Sequence, residues 1–221
     1  GPEILKGVAD GYRRLRNTMR FMLGSLADFS EADRVVLDAM PELEQWVLHR
    51  LAELDETVRK GYKAYDFQGV FQVLFQFATV DLSSFYFDIR KDVLYCDGDT
   101  RERRAARTVL DLLYHRLTTW LAPILSFTME EVWLERNPGA DSSVHLVDMP
   151  QTPATWSNPE LAAKWAGIRK VRRVVTGALE VERREKNIGS SLEAAPVVYV
   201  EAYLADVFEF VPFAALCIPS G

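Results

Sequence analysis

Four arginines fall between Tyr12 and Arg20, in the string Tyr12-Arg13-Arg14-Leu15-Arg16-Asn17-Thr18-Met19-Arg20-Phe21. Around them Val8, Tyr12, Leu15, Met19, Met22 and Leu26 recur at steps of three and four, the mark of one buried helix face. At about 100° per residue, Arg13, Arg16 and Arg20 lie within roughly 60° of one another, beside that face and not opposite it. A guanidinium is planar, permanently charged and forked, so at the edge of a packed helix it suits a phosphate or a base edge. The same pattern also fits a solvated charged face.

The elements that must position these groups are helical. The first helix is expected from about Ile4 to Asp28, followed by a polar loop over Phe29-Ser30-Glu31-Ala32-Asp33. A second starts near Pro41, turns Leu43, Val47, Leu51, Leu54 and Val58 inward, and can end at Gly61. A third follows Asp66 as N-cap and is strongly aromatic, with Phe67, Phe71, Phe75, Phe77, Phe85, Tyr86 and Phe87. Aromatics at helical spacing read as core, with a stacking platform for bases as the alternative for an exposed one. A fourth helix opens at Thr100 and runs past Trp120 until Pro123 kinks or stops it. Thr128-Met129-Glu130-Glu131 and Ser157-Asn158-Pro159-Glu160 have capping-box spacing and are expected to open two more helices, the second keeping Leu161, Trp165, Ile168 and Val175 on one side. Pro196-Val197-Val198-Tyr199-Val200 and Ala215-Leu216-Cys217-Ile218 read as two short strands.

The 221 residues carry a net charge of −6, which argues mildly against nucleic acid. The positive charge is clustered, however: beside the first group stand Arg101, Arg103, Arg104 and Arg107, then Arg169, Lys170, Arg172 and Arg173 with Arg183, Arg184 and Lys186. An acidic chain can still present a basic stripe. No apolar run approaches the ~18 residues that span a bilayer, and no secretory signal opens the chain, so the cytoplasm is the expected compartment and no membrane partner is expected. Two distant cysteines, Cys96 and Cys217, form neither a disulfide framework nor a zinc site. None of His49, His115 and His145 has a ligand-spaced neighbour, and no phosphate-binding glycine loop or nucleophile elbow occurs. No catalytic, cofactor or metal site is therefore expected.

Four strings in order resemble the anticodon-binding region of class I aminoacyl-tRNA synthetases, and among these the isoleucine enzymes. They are Tyr12 to Thr18 with Arg20-Phe21; Ser84-Phe85-Tyr86-Phe87-Asp88-Ile89 through Lys91-Asp92-Val93-Leu94-Tyr95; Leu121-Ala122-Pro123-Ile124-Leu125-Ser126-Phe127-Thr128 with Glu130-Glu131-Val132-Trp133; and Ile188-Gly189-Ser190-Ser191-Leu192-Glu193-Ala194. The third is shared loosely with the valine and leucine enzymes. The resemblance implies a mainly α fold: an anticodon-binding helix bundle followed by a small truncated α/β appendage. Taken with composition, the chain is expected to divide into 1–3, a tag remnant and linker; 4–136, the anticodon-binding bundle; 137–157, a surface connection; 158–189, a long helix packing on the bundle; and 190–221, a small truncated α/β junction segment.

The resemblance also implies a function: a tRNA-binding fragment of an isoleucine-tRNA ligase that uses ATP, without the catalytic and editing domains and without the C-terminal zinc segment of some members. Its partners are isoleucine-accepting tRNA and the catalytic domain of its own parent chain, and a monomer is expected. By analogy with the methionine enzymes, Arg16 and Asn17 match anticodon readers on the first helix and Lys91 matches the end of the third, with Tyr95 nearby. Asn17 can donate to and accept from a base edge, or instead tie the first helix to a neighbouring backbone. Tyr12 departs from that pattern and could stack or merely pack. With Arg13 and Arg20 these form the expected tRNA site. A helical protein-docking scaffold, and the corresponding domain of a valine or leucine enzyme, are the alternatives.

Overall fold

The computed structural model describes residues 1–201, Ala205, Phe208 and Phe213–Cys217, and the chain divides into two units, Gly1–Ser157 and Asn158–Gly221. The first unit is a helix bundle: α1 (Pro2–Ser25), α2 (Glu42–Lys63), α3 (Phe67–Gln76), a π-helical segment (Phe77–Tyr86) running into α4 (Phe87–Tyr95), α5 (Arg101–Leu121) and α6 (Ser126–Arg136). The starts of α3 and α5 follow side-chain chemistry. Asp66 accepts from the Gly69 backbone N–H at 2.9 Å, and Thr100 accepts from that of Arg103 at 3.1 Å, each satisfying a donor the helix leaves open. Gly61 does not end α2, which runs two residues further. A Cβ there would meet Val70 Cγ2 at 2.5 Å, so its role is the close approach of α2 to α3. The reversal falls instead on Tyr65, which takes a left-handed φ of 58°.

α5 is the hub. It packs against α1, α2, α4 and α6, and Leu110, Leu113, Tyr114, Leu117 and Trp120 are fully enclosed. The basic group on this helix serves the fold. Arg101 donates to the Ala39 carbonyl (2.8 Å), Arg103 to that of Leu94 (3.3 Å) and Arg107 to that of Ser25 (3.0 Å). The last two carbonyls lie at the ends of α4 and α1, where helix geometry leaves acceptors without partners and the macrodipole favours cations.

The π-helical segment explains the aromatic run. Phe85, Tyr86 and Phe87 are consecutive, yet all three are buried, which a 3.6-residue period does not permit on one narrow face. The wider turn lets Phe85 reach Trp46 edge-on at 5.3 Å, while Phe87 stacks on Phe21 of α1 at 4.4 Å. Phe71 and Phe75 stack on each other at 5.8 Å and are half-buried. Phe67 to Tyr95 is the one stretch among the described residues long and apolar enough to cross a membrane. Half of its most apolar window lies inside the protein, as a core helix's would.

An ionic knot ties the loop after α1 to α5 and α6. Asp111 accepts from Arg34 and Arg136, both at 2.8 Å, with His115 Nε2 at 3.7 Å. Burial alone would raise the Asp111 carboxyl, but the two guanidinium donors outweigh it and hold it below its ordinary value. Burial lowers His115, against the opposing pull of Asp111. Both groups bind protons more readily in the unfolded chain. Stability should therefore decline as pH falls below about 6.5 through the lowered His115 value, and again below about 4 as Asp111 protonates. Urea midpoints measured against pH would show two limbs, and Asp111→Asn should shrink the lower one, leaving the part owed to Glu31 and Asp33, whose carboxyls are also held low. An unchanged lower limb in that variant would remove Asp111 from the account.

Other local expectations are corrected by packing. The stripe on α1 is buried only from Leu15 onward. Val8 is 65% exposed and Tyr12 lies at the surface, while Gly11 comes close enough to the Phe75 ring that a Cβ there would stand 3.4 Å from it. Thr128 does not cap α6, which begins two residues earlier without a side-chain cap. Glu130 instead accepts from Ser143 Oγ (3.0 Å) and the Val144 N–H (2.9 Å), pinning the segment that follows α6. That segment is held again by Arg59 on the Pro150 carbonyl and Arg116 on that of Gln151, both at 2.8 Å.

The second unit contains α7 (Pro159–Arg184) and a short α8 (Phe213–Cys217). Asn158, not Ser157, caps α7 by accepting from the Leu161 N–H at 3.0 Å. Leu161, Trp165, Ile168 and Val175 are buried as their spacing requires. Val171, Val175 and Leu179 pack with Cys217, and Arg172 Nε donates to the Leu216 carbonyl at 2.6 Å. The two strands expected for an α/β appendage are not found among the described residues. Pro196 to Val200 makes no ladder, and Ala215, Leu216 and Cys217 are helical, their apolar side facing α7; Ile218 lies outside the described residues.

Candidate nucleic-acid interface

A groove of about 720 Å³ opens between α1, the end of α4 and α6. Arg16, Asn17, Arg20 and Phe21 line it from α1 and Tyr95 from α4, while Glu131 and Glu135 face it from α6. Helical period makes each wall: Arg16 and Arg20, like Glu131 and Glu135, are one turn apart on a shared face. The aromatic chain described above sets the third wall. Phe87 fixes Phe21, and Tyr95 then stands edge-on to Phe21 at 5.7 Å.

Arg16 is anchored. Its Nη1 and Nη2 donate to the two oxygens of Glu131, each at 3.2 Å, and Nη1 also reaches the Tyr12 hydroxyl at 3.3 Å. The Tyr12 hydroxyl shares a 2.8 Å hydrogen bond with Thr128 Oγ1. The Thr128 and Arg16 hydrogen bonds lower the Tyr12 pKa, and the Tyr12 and Glu131 hydrogen bonds raise that of Arg16. This cluster clasps α1 to α6. It lies at the surface, the Arg16 side chain remaining 46% exposed, so Arg16 is not interred in an internal ion pair.

The structure thus gathers four of the seven expected site residues, Arg16, Asn17, Arg20 and Tyr95, into one groove. Tyr12 sits behind them as a support. Arg20 and Asn17 are exposed and make no hydrogen bond or ion pair among the described residues, and Tyr95 is 66% exposed. Arg13 pairs with Asp10 at 2.9 Å outside the lining, and half-buried Lys91 sits 3.4 Å from Asp88, also outside it. Sequence reasoning missed Glu131 and Glu135. Their four-residue spacing was legible, but their facing partner lies 115 residues away, so Glu131 read as part of a cap. It also left Phe21 without a role. Chemically, the groove offers a free forked cation, an amide, a free carboxylate and aromatic surface. That set suits an unstacked base, which presents donors, acceptors and a π-face together.

Residues 44–199 match the family described as the anticodon-binding domain of tRNA ligase. The chain belongs to that family. The expected helical bundle is the fold found, and the anticodon-binding domain's groove residues Tyr95, Glu131 and Glu135 lie within the matched span. Over its whole length the chain is 72% identical to an isoleucine–tRNA ligase of Ruegeria pomeroyi and 54% identical to one of Agrobacterium fabrum. Over 90% of its length it is 55% identical to an isoleucine–tRNA ligase of Caulobacter vibrioides. The chain spans 23%, 23% and 21% of the lengths of these three relatives.

Proposed function

We propose that this chain is the anticodon-reading part of an isoleucine–tRNA ligase and that the groove between α1, α4 and α6 meets the anticodon loop of isoleucine-accepting tRNA. The observation that carries the reading is the 72% identity to one such ligase along the entire chain. The groove's free cation and exposed ring support it. In this reading the parent enzyme joins isoleucine to tRNA with ATP, in the cytoplasm, as a monomer and without a membrane partner. The chain works in continuity with a catalytic domain, holds no cofactor or zinc of its own, and activates no amino acid alone.

Filter binding tests this. The chain should retain isoleucine tRNA with micromolar or weaker affinity at about 50 mM salt, falling steeply by about 200 mM as phosphate contacts are screened. Valine and leucine tRNAs should compete poorly. Binding independent of salt, or equal competition by all three tRNAs, would overturn the assignment.

A further inference from the structure

We propose that the groove is selective for guanine, whose Watson–Crick edge is read by Glu135 and Arg20. The proposal rests on the groove being the anticodon-loop surface and names which base it takes there. Two rungs of opposite charge cross between α1 and α6. The first, Arg16 with Glu131, is closed by a two-point pair. The second, one helical turn along each helix, is open: Arg20 and Glu135 both line the groove and both are exposed, yet neither has an ion-pair or hydrogen-bond partner among the described residues. The groove is therefore not simply basic. A free carboxylate repels a phosphate oxygen, so this part of the lining favours a neutral donor edge over the RNA backbone.

An ionised carboxylate only accepts hydrogen bonds, and it accepts two in parallel. Among the four bases, guanine alone offers two adjacent donors on its Watson–Crick edge, N1–H and the N2 amino group, followed by the acceptor O6. Adenine and cytosine each place a bare ring nitrogen beside their amino group, so one of the carboxylate's two oxygens meets an acceptor where it needs a donor. Uracil has one N–H between two acceptors. Glu135 suits the two guanine donors, and the Arg20 fork suits O6. Tyr95, held edge-on by Phe21, supplies a surface on which the same ring can stack. Glu131 acts by occupying Arg16. With that fork taken, Arg20 is the groove's unengaged guanidinium, and Glu135 has no cation on it among the described residues.

The test uses the whole chain and RNA hairpins identical except for one loop nucleotide, carrying guanosine, inosine (which lacks the N2 amino group) or adenosine. At a fixed low salt, the guanosine hairpin should bind about tenfold tighter than either of the others. Glu135→Gln should remove that preference while its thermal melt matches the parent's. A preference that survives Glu135→Gln, or hairpins bound equally by the unmodified chain, would overturn the guanine assignment. Weakening of all hairpins equally in Glu135→Gln would do the same. Failure of the underlying reading looks different: the chain binds no hairpin at all, or an Arg20→Ala/Tyr95→Ala variant binds every hairpin undiminished.

Discussion

Replacing Glu44 with alanine should destabilise the first unit by about 3–5 kcal/mol, because it leaves a buried guanidinium without its main partner. Glu44 is wholly buried on α2 and accepts from Arg90 Nε and Nη2, each at 2.7 Å, and from the Tyr86 hydroxyl at 3.0 Å. Arg90 also contacts Glu102 of α5. Burial drives the Tyr86 pKa up, so its hydroxyl stays protonated and must donate. Against a stability of roughly 5–15 kcal/mol the loss is large, and for a chain of this size the melting point should drop by about 10 °C. A Glu44→Leu/Arg90→Met pair removes both charges together and should recover much of the loss. Thermal unfolding followed by circular dichroism decides the matter. A Glu44→Ala melt within a degree or so of the parent's would show that the pair contributes little. The effect bears on the groove, since this pair fixes α4, and α4 carries Phe87 and Tyr95 to their places beside Phe21.

Removing Arg20 and Tyr95 together should lower affinity for the tRNA anticodon stem-loop by about a hundredfold, with the fold intact. Base stacking on an aromatic ring contributes about 1–3 kcal/mol, and a specific arginine contact a similar amount. Both side chains are exposed and neither closes a core contact, so the melt should move little. Arg20 and Tyr95 line one groove, so the effects of the two substitutions need not add. Titration of each single variant and of the pair measures that coupling. Unaltered affinity in the pair would mean that RNA is held elsewhere on the chain.

The limits of sequence reading are visible at particular residues. Leu15, Met19 and Met22 are buried as their spacing requires, and so are Leu161, Trp165 and Ile168 on α7. Asp66 and Thr100 cap the helices they precede. These are local matters: helical period and caps act within a few residues and need no distant partner. Val8 continues the same period and is exposed, because nothing among the described residues covers that turn.

Local chemistry alone fixed the helical architecture of this protein and the strip of α1 that carries Arg16, Asn17 and Arg20. Only tertiary structure separated two basic groups that look alike in sequence. Arg101, Arg103 and Arg107 face backbone carbonyls at other elements' ends, while Arg20 faces an open groove. Tertiary structure likewise decided that Arg16 is held by Glu131, that Glu135 is left without a cation, and that Ala215 to Cys217 coil instead of pairing as a strand. The physical reason is one of range. Propensity and period are set by near neighbours, whereas the pairing of a charge and the covering of an apolar face depend on groups brought together only when the chain folds.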